Sequence, residues 1–155
     1  MVREQDATTP PPQEVFDSPS EWVAGHIRRY VETDGEEGHR WRGVTTLLLT
    51  TRGRKSGKLR RTALIYGRDG ERYLVVASQG GADWHPNWYL NLDANPDVQV
   101  QVGAERFPAR ARTATADEKP GLWGIMTSIW PDYDTYQARC ARDIPVVILE
   151  RTSAP

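Results

Sequence analysis

Cysteine is almost absent: the 155-residue chain has one, Cys140. It cannot close an intrachain disulfide, and no cysteine-based zinc or iron–sulfur site can form. In its helical surroundings Cys140 reads as a small packed side chain rather than a nucleophile. A positive-charge excess is missing too, since 20 Lys and Arg face 21 Asp and Glu. That argues against a nucleic-acid partner and leaves room only for a local basic patch. No apolar run approaches the roughly 20 residues of a spanning helix. The N-terminal stretch MVREQDATTPPPQEVF has acids and a proline run where a secretory signal needs an apolar stretch, so the chain is read as cytoplasmic. The three histidines, His26, His39 and His85, lack the spacing of a metal pair, and no metal is expected. His26 and His39 read as surface residues. No Gly-x-Ser-x-Gly nucleophile turn is present, which disfavours an esterase.

What is present is enough for one domain with a real core. Residues 1–19 read as a disordered tail, with Pro10, Pro11 and Pro12 favouring a solvated extended chain. Residues 20–155 read as a single domain. Its first element is an amphipathic helix from Glu21, capped by Ser20, with Trp22, Val23, Ile27, Tyr30 and Val31 on one face. From Val44 the pattern turns to strands: 44–51, 62–66 and 73–77, the last two joined by Arg68-Asp69-Gly70-Glu71, a hairpin signal. Gly80-Gly81 breaks the chain before a short helix opened by Pro86. Val98, Val100 and Val102 alternate with polar residues, as a half-buried strand requires. Pro108 suggests an edge or bulge in the strand that follows. Thr115 and Glu118 have the spacing of a capping box. A helix through Leu122 to Ile129 ends at Trp130-Pro131. A short helix over 134–142 and a strand over 145–149 complete the chain. Hairpins outnumber crossovers, which predicts a mainly β, α+β fold: an antiparallel sheet closed into a small barrel with helices outside.

Three segments carry chemistry. Between Arg40 and Arg68 the chain has nine basic residues and no acid. Their centre is Gly53-Arg54-Lys55-Ser56-Gly57, where glycines admit backbone N–H groups to an anion and the side chains add charge and a donor. A solvated charged hairpin fits the same residues. The second segment is Ala77-Ser78-Gln79-Gly80-Gly81 followed by Pro86-Asn87-Trp88-Tyr89-Leu90-Asn91, a glycine turn leading into a helix N-terminus that presents free N–H groups. Trp88 and Tyr89 could wall a planar ring or simply fill core. The third is Trp130-Pro131-Asp132-Tyr133-Asp134-Thr135-Tyr136. Tyr133 and Tyr136 share a helical face and can donate to a carbonyl or an anion, or pack with wet hydroxyls.

Taken in order, TTLLLTTRGRKSGKLR, YGRDGERYLVVASQGGADWHPNWYLNLDANPDVQVQV and WPDYDTYQARCARDIPVVILE resemble the deazaflavin-dependent nitroreductase family of actinobacteria, over about residues 45–150. The resemblance implies a split β-barrel like that of flavin-binding proteins. It also implies coenzyme F420, a 5-deazaflavin, as hydride carrier, with FMN second. The acceptor it implies is a small molecule: a quinone, a nitro compound or an activated double bond. By the same resemblance Arg54, Lys55, Ser56, Gly57 and Arg60 hold the anionic phosphodiester and polyglutamate tail. Ala77, Ser78, Gln79 and Gly80 line the ring or its side chain, and Pro86, Trp88 and Asn91 frame the site. Tyr133 and Tyr136 map to substrate-pocket tyrosines and are the catalytic candidates. Gln79 replaces a lysine, and Ile65 and Trp130 replace tyrosines, so the substrate side is less hydroxylated. A non-enzymatic carrier of the same cofactor, a monomer or homodimer, and weak contact with a membrane surface all stay open.

Overall fold

The structure is a computed structural model that describes residues 14–152. Among the described residues nine strands form one sheet: β1 (Val15–Asp17), β2 (Arg40–Trp41), β3 (Val44–Arg52), β4 (Leu59–Ile65), β5 (Gly67–Asp69), β6 (Arg72–Val76), β7 (Asp97–Val102), β8 (Glu105–Thr113) and β9 (Val146–Arg151). Four helices accompany them: α1 (Glu21–Glu32), α2 (Asn87–Ala94), α3 (Lys119–Ile129) and α4 (Asp132–Arg139). The strand order is β1-β4-β3-β7-β8-β9-β6-β5, with β2 on β3. Every pair is antiparallel except β1 with β4. This is the expected mainly β, α+β split barrel.

Strand alternation sorts the core into an inside and an outside. Leu47 and Leu49 of β3, Val75 of β6, Val98 and Val100 of β7, and Val147 and Leu149 of β9 fill the interior. Their sequence neighbours face outward. Leu74, Val76, Val146 and Ile148 meet α3 and α4 through Leu122, Met126 and Tyr133. Leu48 meets Ile27 and Tyr30 of α1. Both faces of the sheet are thus covered.

The split lies where sequence reading expected a hairpin. The 62–66 and 73–77 runs do not pair with each other. β4 pairs with β3 up to Thr46↔Ile65, and only Gly67–Asp69 pairs with β6. Around Tyr66 the chain changes partners, leaving a gap between β4 and β6. Gly67 permits the change: a Cβ there would stand 2.7 Å from Met126 Sδ of α3.

The tail boundary also moves. Most of residues 1–19 lies outside the described residues, but Val15–Asp17 is a strand on the β4 edge, and Asp17 pairs with Arg61 at 2.6 Å. Three residues with one ion pair leave too weak a local pattern to read. Ser20 occupies the N-cap position of α1 without a side-chain cap bond. Thr115 and Glu118 do form the reciprocal box, at 2.8 and 3.3 Å. Pro108 sits mid-strand in β8, but its carbonyl accepts from Thr152, just past the end of β9, so the missing N–H falls at a ladder end. The last helix and strand run 132–139 and 146–151 rather than 134–142 and 145–149.

Candidate functional site

The β3–β4 turn forms one end of a cleft. Gly53 N–H donates to Lys58 O at 2.7 Å and Gly57 N–H to Gly53 O at 2.9 Å, closing the loop. Ser56 Oγ accepts the Lys58 N–H at 3.1 Å, which leaves its own proton to donate outward. Arg54 is fastened to α2: its N–H and guanidinium reach Asn91 Oδ1 at 3.1 and 2.8 Å, and Asn87 Oδ1 at 3.3 Å. Asn91 is buried and donates to Thr51 Oγ1 at 3.4 Å. Arg54 and Asn91 therefore stitch the basic loop to the helix. Lys55 and Arg60 are exposed, with no carboxylate partner among the described residues. Phe16 of β1 lies under Lys58 and Arg60, with its ring centre 5.0 and 5.7 Å away.

The second wall is the segment after β6. Gln79 and Gly80 adopt left-handed φ values of 47° and 62°. Gly81, also left-handed, is where α4 presses in: a Cβ would stand 3.1 Å from Tyr136 Cα. Behind the segment, Arg142 donates to three of its carbonyls. His85 Nδ1 accepts from Arg142 at 2.9 Å, and burial first, then the guanidinium, hold the His85 pKa below its usual 6.5.

The third wall is aromatic. Trp22, Trp41 and Trp130 stand in series, each 5.6 Å from the next between ring centres. Tyr136 Oη accepts the Trp130 indole N–H at 3.4 Å. Tyr133 is 5% exposed, and its hydroxyl makes no hydrogen bond among the described residues and reaches the cleft surface. Burial pushes its pKa well above 10, with Tyr136 adding to the shift, so it is a protonated donor at neutral pH.

These walls enclose a cleft of about 970 Å³ along the gap between β4 and β6. It gathers Arg54, Lys55, Ser56 and Arg60 with Ser78, Gln79 and Gly80, with Pro86, Trp88 and Asn91, and with Ile65, Trp130, Tyr133 and Tyr136. Two expected residues do not line it. Gly57, at φ 74°, serves the turn, and Ala77 is fully buried behind the wall, its carbonyl held by Arg142. Sequence reading missed Arg61, Asn87, Trp41 and Phe16 on the walls, and misjudged His26. His26 is 6% exposed, lines the cleft and contacts Thr46 Oγ1 at 3.4 Å; burial and Arg29 depress its pKa. His39, half-buried, bonds Tyr66 Oη at 2.9 Å. Trp22 and His26 are four apart on α1, a spacing that could have flagged a shared face.

Residues 22–151 match the family model described as F420H(2)-dependent quinone reductase. An F420H(2)-dependent quinone reductase of Mycobacterium tuberculosis is 44% identical over 130 residues, covering 81% of this chain and 87% of that protein. A solved F420-H2 dependent reductase is 40% identical with a TM-score of 0.63, over 68% of this chain and 93% of that one. A solved domain-swapped dimer is 39% identical with a TM-score of 0.66, over 86% and 100%.

Proposed function

The chain belongs to the F420H2-dependent quinone reductase family, and from that premise we propose that the cleft between β4 and β6 is where coenzyme F420 and a quinone-class acceptor meet. The protein is an oxidoreductase with F420 as its cofactor. The observation that carries the site assignment is the cleft's polarity. Its only lining carboxylate among the described residues, Asp17, is taken up by Arg61, while Lys55 and Arg60 at the same end face no acid. The other end is aromatic. An anionic tail attached to a flat ring fits that distribution of charge and π surface.

In this reading Lys55, Ser56 and Arg60 hold the phosphodiester and glutamates. Arg54, fixed by Asn91, contributes charge from a set position. Ser78, Gln79 and Gly80 with Trp88 bound the ring. When bound, the reduced deazaflavin supplies the hydride. Tyr133 holds the proton: its ring is buried, its hydroxyl has no partner among the described residues at the cleft lining, and that hydroxyl is the donor that faces an acceptor oxygen as negative charge develops there. Tyr136, engaged with Trp130, shapes the wall beside it, and the Trp22-Trp41-Trp130 series keeps water from the acceptor side.

Titration of the purified protein with F420 and FMN side by side, followed by fluorescence, tests the cofactor site. Steady-state oxidation of reduced F420 with a menaquinone analogue tests the reaction. Tight F420 binding with no turnover on any quinone would make the protein a carrier. Among the described residues no helix is long and apolar enough to cross a membrane. Trp22, 57% exposed at the cleft mouth near Trp41 and Arg42, suits shallow contact with a lipid surface, which vesicle co-sedimentation tests. The domain-swapped relative supports a homodimer, which light scattering after gel filtration tests.

A further inference from the structure

Arg142 uses its fork on main chain rather than on an acid. Nε donates to Ala82 O at 2.9 Å, one terminal nitrogen to Ala77 O at 3.2 Å, and the other to Ser78 O at 2.9 Å. Among the described residues no carboxylate pairs with it. The peptides it holds are trans, and a trans peptide keeps its C=O and N–H antiparallel. Fixing Ala77 O and Ser78 O on Arg142 therefore turns the Ser78 and Gln79 N–H groups the other way. That side is the cleft, which Ser78, Gln79 and Gly80 line. Neither N–H has a backbone partner among the described residues. The backbone is right-handed at Ser78 (φ −82°, ψ −32°) and left-handed at Gln79 and Gly80. That succession gathers neighbouring N–H groups into a concave donor nest. A glutamine holds such a φ only where its surroundings impose it.

We propose that Arg142 is a positioning residue of the cofactor site: by holding three carbonyls from behind, it presents the Ser78 and Gln79 N–H groups to an acceptor atom of the bound deazaflavin ring, with an unneutralised guanidinium charge at their back. The inference rests on the F420 reading of the cleft. It assigns the ring, not the tail, to this wall, and it gives a charge near the ring to a chain with glutamine at position 79. Lysine cannot replace Arg142, because one ammonium cannot span three carbonyls in the plane of a fork.

The test is fluorescence titration with two ligands: F420, and the tail-less 8-hydroxy-5-deazariboflavin. Arg142→Gln is expected to bind both at least tenfold more weakly than wild type, and Arg142→Lys to recover only part of the loss. Lys55→Ala, at the other end, is expected to weaken F420 alone. Melting temperature and the quinone KM at saturating cofactor should stay close to wild type, and added guanidinium should restore ring binding to Arg142→Gln. Affinities within twofold of wild type for both ligands overturn the proposal, as does a loss confined to the tailed ligand. So does a parallel fall in melting temperature and rise in quinone KM, which marks a merely structural role. If Arg142→Gln fails to fold, Arg142→Lys decides: wild-type affinity for the tail-less ligand overturns the proposal. Wild-type protein that binds neither deazaflavin overturns the cofactor reading itself, and this inference with it.

Discussion

The two ends of the cleft solve recognition by opposite means. At the β3–β4 turn the charged groups are exposed, and among the described residues no carboxylate pairs with Lys55. Such a site attracts an anion from a distance, tolerates a tail of variable shape, and weakens as salt screens it. At the other end the main chain is locked: Gln79 and Gly80 are left-handed, Gly81 is pressed by α4, and Arg142 and Arg139 hold the carbonyls. Tyr133 there is almost fully buried. That end can select a ring and a reaction, because its donors are in place before anything binds. On the proposed assignment, affinity is built mainly where the protein is solvated, and chemistry where it is packed.

The hardest blow to this contrast is aimed at Tyr133. Removing a donor directed at developing charge lowers turnover by about a hundred- to a thousandfold. Tyr133→Phe should do so with the F420 dissociation constant nearly unchanged, and Tyr136→Phe should do less because Tyr136 is the more solvent-exposed of the two, where a donor acts in a higher dielectric. Separate measurement of turnover and affinity checks both. Equal turnover in wild type and Tyr133→Phe would make that wall mere packing, with protons drawn from solvent.

The exposed end should show the converse. Lys55→Ala and Arg60→Ala each remove one charge-assisted contact and should weaken F420 binding by about tenfold at low salt. The gap should close as salt rises, with turnover at saturating cofactor unaffected. A loss insensitive to salt would mean that this end is preorganised like the other.

Acid should loosen the packed parts first. Burial holds His26, His39 and His85 below the usual 6.5, so the neutral forms belong to the folded state. Their stabilisation is complete above pH 6.5 and is lost as pH falls through the depressed values. Below that point protonated His85 can no longer accept from Arg142. Urea denaturation at pH 7.5 and at pH 5 should show lower stability in acid, and His85→Gln should reduce the difference, by less than either loop substitution changes affinity.

The smallest expected effect concerns β1. Asp17 neutralises Arg61 at the exposed end, in a pair worth about 0.2–1 kcal/mol. Asp17→Asn should free that charge and tighten F420 binding by less than about fivefold at low salt only. Weaker binding would show that the β1 pairing matters more than the charge it hides.

Much of the fold was legible because period-2 and period-3.6 patterns report which face of an element is buried. β3, β7, α1 and α3 followed from Leu47 and Leu49, Val98 and Val100, Ile27 and Tyr30, and the Thr115–Glu118 box. The basic loop was legible because nine cations without an acid cannot be neutralised locally. Its motif order with the later segments pointed to the cofactor. Tyr133 and Tyr136 were legible as a pair by spacing, but not the difference between them. The burial of Tyr133 comes from Leu74 and Val76, far away in sequence.

What the sequence by itself determined is therefore the elements, their inward faces, the charge of the loop and the family to which such a chain belongs. Only the tertiary structure decided that β4 turns to β3 and β1 rather than to β6, that His26 goes inside, and that Arg142 closes on the carbonyls of residues 77–82. The physical reason is the same each time. A residue's pattern fixes which way it faces, whereas its partner is fixed by what else arrives there. For Arg142 the partners lie about 60 residues earlier in the chain, and their carbonyls, common to every residue, leave no mark in the sequence.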